Sequence, residues 1–125
     1  MDTLLQKYLI AGALVLIIVV TGFWVSRSGK PVNLIKMNVH KLISLGTAIF
    51  IGLTMYQMSQ GIELSPLEIG GMVASGIFAV ATIITGGLAS LAKPIQVAVI
   101  IHKIMPYLTI LSTAATLYLL AIHAW

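Results

Sequence analysis

The sequence contains no cysteine, only three acidic residues and only 8% charged residues in 125. The missing cysteines exclude disulfides, thiolate metal sites, iron–sulfur clusters and thiol redox chemistry. The scarcity of charge is well outside what a water-soluble domain carries, where about a quarter of residues are charged. Asp2, Glu63 and Glu68 are the only acids, and none falls in the middle of an apolar run. A nucleophile–base–carboxylate set is therefore missing, as is the mid-membrane carboxylate on which small proton-coupled exporters usually rely. No glycine-rich phosphate loop opens a polar helix.

What is present is hydrophobic. Apolar residues make up 59% of the chain, and the mean hydropathy is +1.08. A chain this short has no soluble core large enough to take up that surface, so it reads as membrane class, with the lipid bilayer as its first partner. Four stretches have the roughly 20 apolar residues that a membrane helix needs: 3–26, 32–58, 66–91 and 94–124. Backbone groups left unpaired in lipid are too costly for any state but helix over such runs. The expected fold is an all-α membrane protein, one four-transmembrane-helix bundle spanning 1–125. The first run starts close to Met1, after Asp2, and is too long for the core of a signal peptide, so it is read as a retained helix.

Turn chemistry marks the breaks. Ser26-Arg27-Ser28-Gly29-Lys30-Pro31 separates the first two spans, with Pro31 suited to a first helical turn. Ser65-Pro66-Leu67-Glu68 has the form of a capping box at the start of the third. Lys93-Pro94 precedes the fourth. The formal charge of +4 is not a nucleic-acid patch, because Arg27, Lys30, Lys36, Lys41, Lys93 and Lys103 all flank the first and third breaks. By the positive-inside rule these breaks face the cytoplasm and both termini lie outside the cell membrane. Tyr8, Trp24, Tyr56, Tyr118 and Trp125 fall near span ends, as interfacial belts do; Tyr107 is deeper and is a candidate cavity residue.

The two halves of the chain resemble each other. Val39-His40-Lys41-Leu42 matches Ile101-His102-Lys103-Ile104, and the same offset pairs Thr47 with Thr109, Thr54 with Thr116 and Tyr56 with Tyr118. With a residue or two of slip, Lys30-Pro31 matches Lys93-Pro94, and Gly12, Thr21, Gly22 and Ser26 match Gly76, Thr85, Gly86 and Ser90. Shared apolar composition explains matched leucines but not matched His-Lys and Lys-Pro. The chain reads as two tandem helical hairpins, about 1–62 and 63–125, forming a parallel internal repeat.

In that arrangement His40 and His102 sit at similar depth on parallel spans, roughly 12–14 Å beyond Pro31 and Pro94 at about 1.5 Å per residue. Ionisable groups inside a span are functional candidates. Two imidazoles at one level suit axial ligation of haem iron, with His40 and His102 as the metal ligands. Thr47 and Thr109 follow their histidines by seven residues, on nearly the same helix face, where small side chains leave room for a flat ring. Lys41 and Lys103 directly follow the histidines and can snorkel toward haem propionates. Four residues after each histidine stand Ser44 and Pro106. Pro106 removes the bond the His102 carbonyl would accept; Ser44 can bond back to the His40 carbonyl. His123 has no counterpart in the repeat and reads as an interfacial residue, or as a proton-exchanging group beside a quinone. Glycines 70, 71, 76, 86 and 87 mark close helix approach, within the bundle or in a homodimer.

These residues resemble the transmembrane b-type cytochromes as a class, on the strength of His40, His102 and their basic neighbours. Members often hold two haems with two histidines on each ligand helix. One histidine per helix at matched depth here implies a single haem b near one face, with electron transfer to or from a quinone or a redox protein. The rival readings are a small transporter or channel, or a structural subunit, using the histidine pair to bind metal, substrate or protons or simply to pack.

The topology is directly testable. A periplasm-active reporter fused to the C-terminus should be active, and a cytoplasm-active one silent; the reverse pattern would invert the assignment.

Overall fold

The computed structural model describes residues 3–29 and 33–124. Asp2, Lys30, Pro31 and Trp125, to which the sequence assigns topology, turn and anchor roles, lie outside the described residues. The chain forms α1 (Thr3–Ser26), α2 (Leu34–Ser59), α3 (Pro66–Ala89) and α4 (Gln96–Ala124), with no strand among the described residues. All four helices are long and apolar enough to cross a bilayer.

Each start has a local cause. Asn33 caps α2, its Oδ1 accepting from the backbone N–H of Ile35 and Lys36 at 3.0 and 3.2 Å. The helix therefore begins two residues later than the apolar run. Ser65 and Glu68 form the expected capping box, with Pro66 in the first turn. The Ser65 backbone N–H donates to Glu68 Oε2 at 2.7 Å, and the Glu68 N–H donates to Ser65 Oγ at 3.3 Å. α4 starts two residues after Pro94, its first turn closing from Val99 N–H to the Ile95 carbonyl at 3.1 Å. After α2 the backbone turns at Gly61 with φ +79°, a left-handed setting that glycine adopts without a Cβ penalty.

The chain divides into two compact units, 1–51 and 52–125, the division falling within α2. In the first unit, two of the basic residues around the first break, Arg27 and Lys36, rest on aromatic faces. The Lys36 ammonium lies 4.8 Å from the Trp24 ring centre and the Arg27 guanidinium 4.8 Å from that of Phe23.

In the second unit, α3 and α4 run antiparallel, joined by a seam of polar contacts. His123 Nδ1 meets Glu68 Oε1 at 2.7 Å, Ser75 Oγ lies 3.4 Å from Thr116 Oγ1, and Thr82 Oγ1 lies 2.9 Å from Thr109 Oγ1. Successive contacts are seven residues apart on both helices, the spacing that keeps one face of each turned to its partner. His102 is the next residue in that series on α4. Large apolar side chains such as Ile69, Val73, Ile77 and Ile84 are exposed on the rest of α3.

Gly71 lets the seam close. A Cβ there would lie 2.5 Å from Thr116 Oγ1, whereas one at Gly70 or Gly76 would meet nothing within 4 Å. Thr116 is β-branched, fully buried and stiff, so it cannot swing clear. Gly71→Ala should lower stability in detergent by roughly 1–3 kcal/mol, the usual cost of overpacking, while Gly70→Ala and Gly76→Ala should not. Thermal unfolding of the three variants checks this; equal behaviour would show that the seam tolerates a methyl group.

Candidate functional site: two histidines held by the preceding helix

Each candidate ligand is the seventh residue of its helix: His40 in α2 and His102 in α4. At about 1.5 Å per residue each lies some 9 Å from its helix start, shallower than counting from the prolines gives, because both helices begin later. His40 belongs to the first unit and His102 to the second. Each makes its contacts with the helix that precedes its own.

In the first unit, His40 Nδ1 lies 3.0 Å from Thr21 Oγ1. The Thr21 hydroxyl also lies 2.8 Å from the Ile17 carbonyl one turn back. The carbonyl and the ring share access to its one proton, so this contact seats the His40 ring without assigning its tautomer. In the second unit, His102 Nδ1 lies 3.0 Å from the Thr82 carbonyl oxygen and 3.3 Å from Thr85 Oγ1. A carbonyl cannot donate, so Nδ1 carries the proton here. Thr85 Oγ1 in turn donates to the Ala81 carbonyl at 2.7 Å. The neutral His102 ring is thereby set as the Nδ1–H tautomer, which makes Nε2 the lone-pair nitrogen.

Glycine brings the rings this close. A Cβ at Gly22 would lie 3.0 Å from His40 Cε1, and one at Gly86 would lie 2.8 Å from His102 Cε1. The two hairpins thus make the same three-part contact: Thr21, Gly22 and His40 in one, Thr85, Gly86 and His102 in the other. Gly86, expected from sequence to mark helix approach, in fact makes room for an imidazole.

The neighbours divide. Thr47 is buried, its hydroxyl donating to the Ile43 carbonyl at 2.8 Å. Thr109 is half-buried, with its hydroxyl 2.9 Å from the Met105 carbonyl and 2.9 Å from Thr82 Oγ1. It therefore faces α3. Lys41 and Lys103 are exposed, each the eighth residue of its helix. Ser44 Oγ donates to the His40 carbonyl at 2.7 Å, as its position implies. Tyr107 is exposed and is not among the residues lining the open apolar groove along α3, which are Val73, Gly76, Ile77, Val80, Ala81 and Ile84.

Two features escaped the sequence. Glu68 and His123, 55 residues apart, form a pair in which the carboxylate is buried and the imidazole is 40% exposed. The sevenfold spacing of His102, Thr109, Thr116 and His123, matched by Glu68, Ser75 and Thr82, was the available signal. Thr82 is the other, since its counterpart in the first half, Ile18, is apolar and drew no attention to the position.

Among the described residues no group of three or more histidine or acidic side chains is placed to hold a metal ion. Compared with protein-family models, curated proteins and solved structures, the chain matches none. The donor chemistry must therefore be judged by itself. In His102, Nδ1–H is tied and Nε2 carries the lone pair, the arrangement in which bonding at the far nitrogen orients a ligand histidine and raises its basicity.

Gly86→Ala should push the His102 ring off the Thr82 carbonyl, and Gly87→Ala, whose Cβ meets nothing within 4 Å, should not. Nitrogen-15 imidazole spectra of the two variants read this directly: His102 should lose its pure Nδ1–H signature only in the first. Retention of that signature in Gly86→Ala would show that the ring is not seated on the bare backbone.

Proposed function

We propose that the chain is a multi-pass membrane protein, built by duplication of a helical hairpin, that acts as a b-type cytochrome. It holds one haem b through His40 and His102 and transfers single electrons. The observation that supports this reading best is the shared seating of the rings: at the same place in α2 and α4, Nδ1 meets the preceding helix and Nε2 is left as the candidate ligand atom. Bound haem would supply the one-electron chemistry. His40 and His102 would each supply an imidazole nitrogen to hold it, and the neighbouring lysines would set the local charge.

Lys41 and Lys103, one residue beyond the ligands, are assigned to the haem propionates. An ammonium inside a span costs about 2.5–3.5 kcal/mol on insertion scales, and an anionic partner offsets part of that. Thr47, seven residues beyond His40, is assigned to the haem side of α2, while Thr109 is taken up by Thr82 across the α3–α4 seam. The electron partner is a quinone or a redox protein, and a homodimer is compatible with the exposed glycines of α3. Both termini are assigned to the outer side on the charge pattern.

One observation favours a second reading. Every contact described for His102 lies within its own hairpin, as does the Thr21 contact of His40, so the histidines can act as clasps that hold hairpins together. A clasp and a ligand answer differently to haem. Protein purified with haem supplied should show a low-spin, six-coordinate spectrum, and His40→Ala and His102→Ala should each abolish it. Lys41→Met and Lys103→Met should keep the spectrum but retain haem less well and show a lower midpoint potential, because removing positive charge favours the oxidised state. A wild-type chain without that spectrum, but with either histidine variant less stable, would leave the clasp as the function of the pair.

A further inference from the structure

The two hairpins share the Thr–Gly–His contact but differ next to it, and the differences are paired. Four residues after His102 stands Pro106, inside α4. It has no N–H, so the His102 carbonyl loses its helical donor and the turn from 102 to 106 lacks its closing bond. Four residues after His40 stands Ser44, which has an N–H and also donates its hydroxyl to the His40 carbonyl at 2.7 Å. On the helices that face them the difference is Thr82 in α3 against Ile18 in α1.

Thr82 touches α4 on both sides of the proline. Its carbonyl accepts from His102 Nδ1 at 3.0 Å, before the break, and its hydroxyl meets Thr109 Oγ1 at 2.9 Å, after it. The Thr82 hydroxyl proton goes to the Phe78 carbonyl at 2.7 Å, on a continuous stretch of α3, so across the seam the Thr109 hydroxyl donates and Thr82 Oγ1 accepts. The hairpin with a weakened ligand helix has the two-sided contact. The hairpin with an unbroken ligand helix has an isoleucine, whose side chain can form no hydrogen bond.

We infer that Thr82 is a positioning residue that splints α4 across Pro106 and so aims the His102 imidazole. The Pro106 turn is a hinge between the first turns of α4, which carry His102, and the rest of the helix, which is fixed to α3 along the polar seam. With the splint in place, the segment that carries His102 keeps one setting. Without it, His102 swings on the hinge and its Nδ1–H leaves the Thr82 carbonyl, which remains part of the α3 backbone. The consequence for haem rests on the function proposed above; the consequence for the ring does not.

The test uses the full chain in detergent and two substitutions that reproduce the other hairpin's solution. Thr82→Val keeps the branched shape and the carbonyl and removes only the hydroxyl. Pro106→Ser restores the N–H and matches Ser44. Thr82→Val should turn the pure Nδ1–H nitrogen-15 signature of His102 into a mixture of tautomers and weaken haem retention about threefold. Adding Pro106→Ser to Thr82→Val should restore both, and Pro106→Ser alone should change neither. The assignment is overturned if Thr82→Val leaves the His102 signature unchanged, or if Pro106→Ser fails to restore it. If the imidazole responds as expected but no variant, wild type included, binds haem, the splint stands and the haem reading falls. Should Thr82→Val not fold, Thr109→Val removes the same contact from the α4 side and must give the same His102 spectrum.

Discussion

A neutral imidazole has one proton, and where it sits decides what the ring can do. In the second hairpin the preceding helix accepts it at Nδ1, through the Thr82 carbonyl at 3.0 Å from His102; in the first, the Thr21 hydroxyl meets His40 Nδ1 at the same distance. Much of the surrounding design follows from these contacts. Thr85 directs its own proton back along its helix, to the Ala81 carbonyl. Gly22 and Gly86 must lack a Cβ, because the ring edge occupies its place. The interhelix contact and the bare backbone together hold each of the two imidazoles in one orientation against the preceding helix.

Helices that are apolar all round give no amphipathic stripe by which one face could be chosen over another. On the α3–α4 pair, the choice is made by polar contacts and by Gly71. Hydrogen bonds between membrane helices average about 0.6 kcal/mol, so neither Ser75–Thr116 nor Thr82–Thr109 dominates stability. Their value is directional: turning α4 away from the seam forfeits them together. The same geometry argues against proton conduction along the seam. Contacts seven residues apart are about 10.5 Å apart along the axis, several times the length of a hydrogen bond. The seam sets register and facing, and the histidine at its end inherits both.

The sequence carried the helices almost completely, because run length and turn residues are local properties. The Ser65–Glu68 capping box and the Ser44 back-bond were readable for the same reason: each is an interaction within one turn. The helix starts after Pro31 and Pro94 moved inward by two residues because the cap and first bond depend on Asn33 and Ile95, which apolar counting ignores. Contacts across helices were legible only where the two halves repeated them. Thr21 and Thr85 stood out as a matched pair, yet that each would meet its histidine's Nδ1 needed coordinates. Glu68–His123 had no matched pair to announce it. Reading His123 in isolation as an interfacial residue missed that it is seven residues beyond Thr116, on the face that already carries Thr109 and His102.

The differences between the hairpins are as informative as their likeness. At the positions that correspond to Glu68, Ser75 and Thr82, α1 has Leu4, Ala11 and Ile18, so the three α3 side chains of the polar seam have apolar counterparts in α1. The Thr–Gly–His contact is what both retain. Each hairpin supports that contact differently: a serine that donates to the His40 carbonyl on an unbroken helix in one, and a threonine beside a proline in the other.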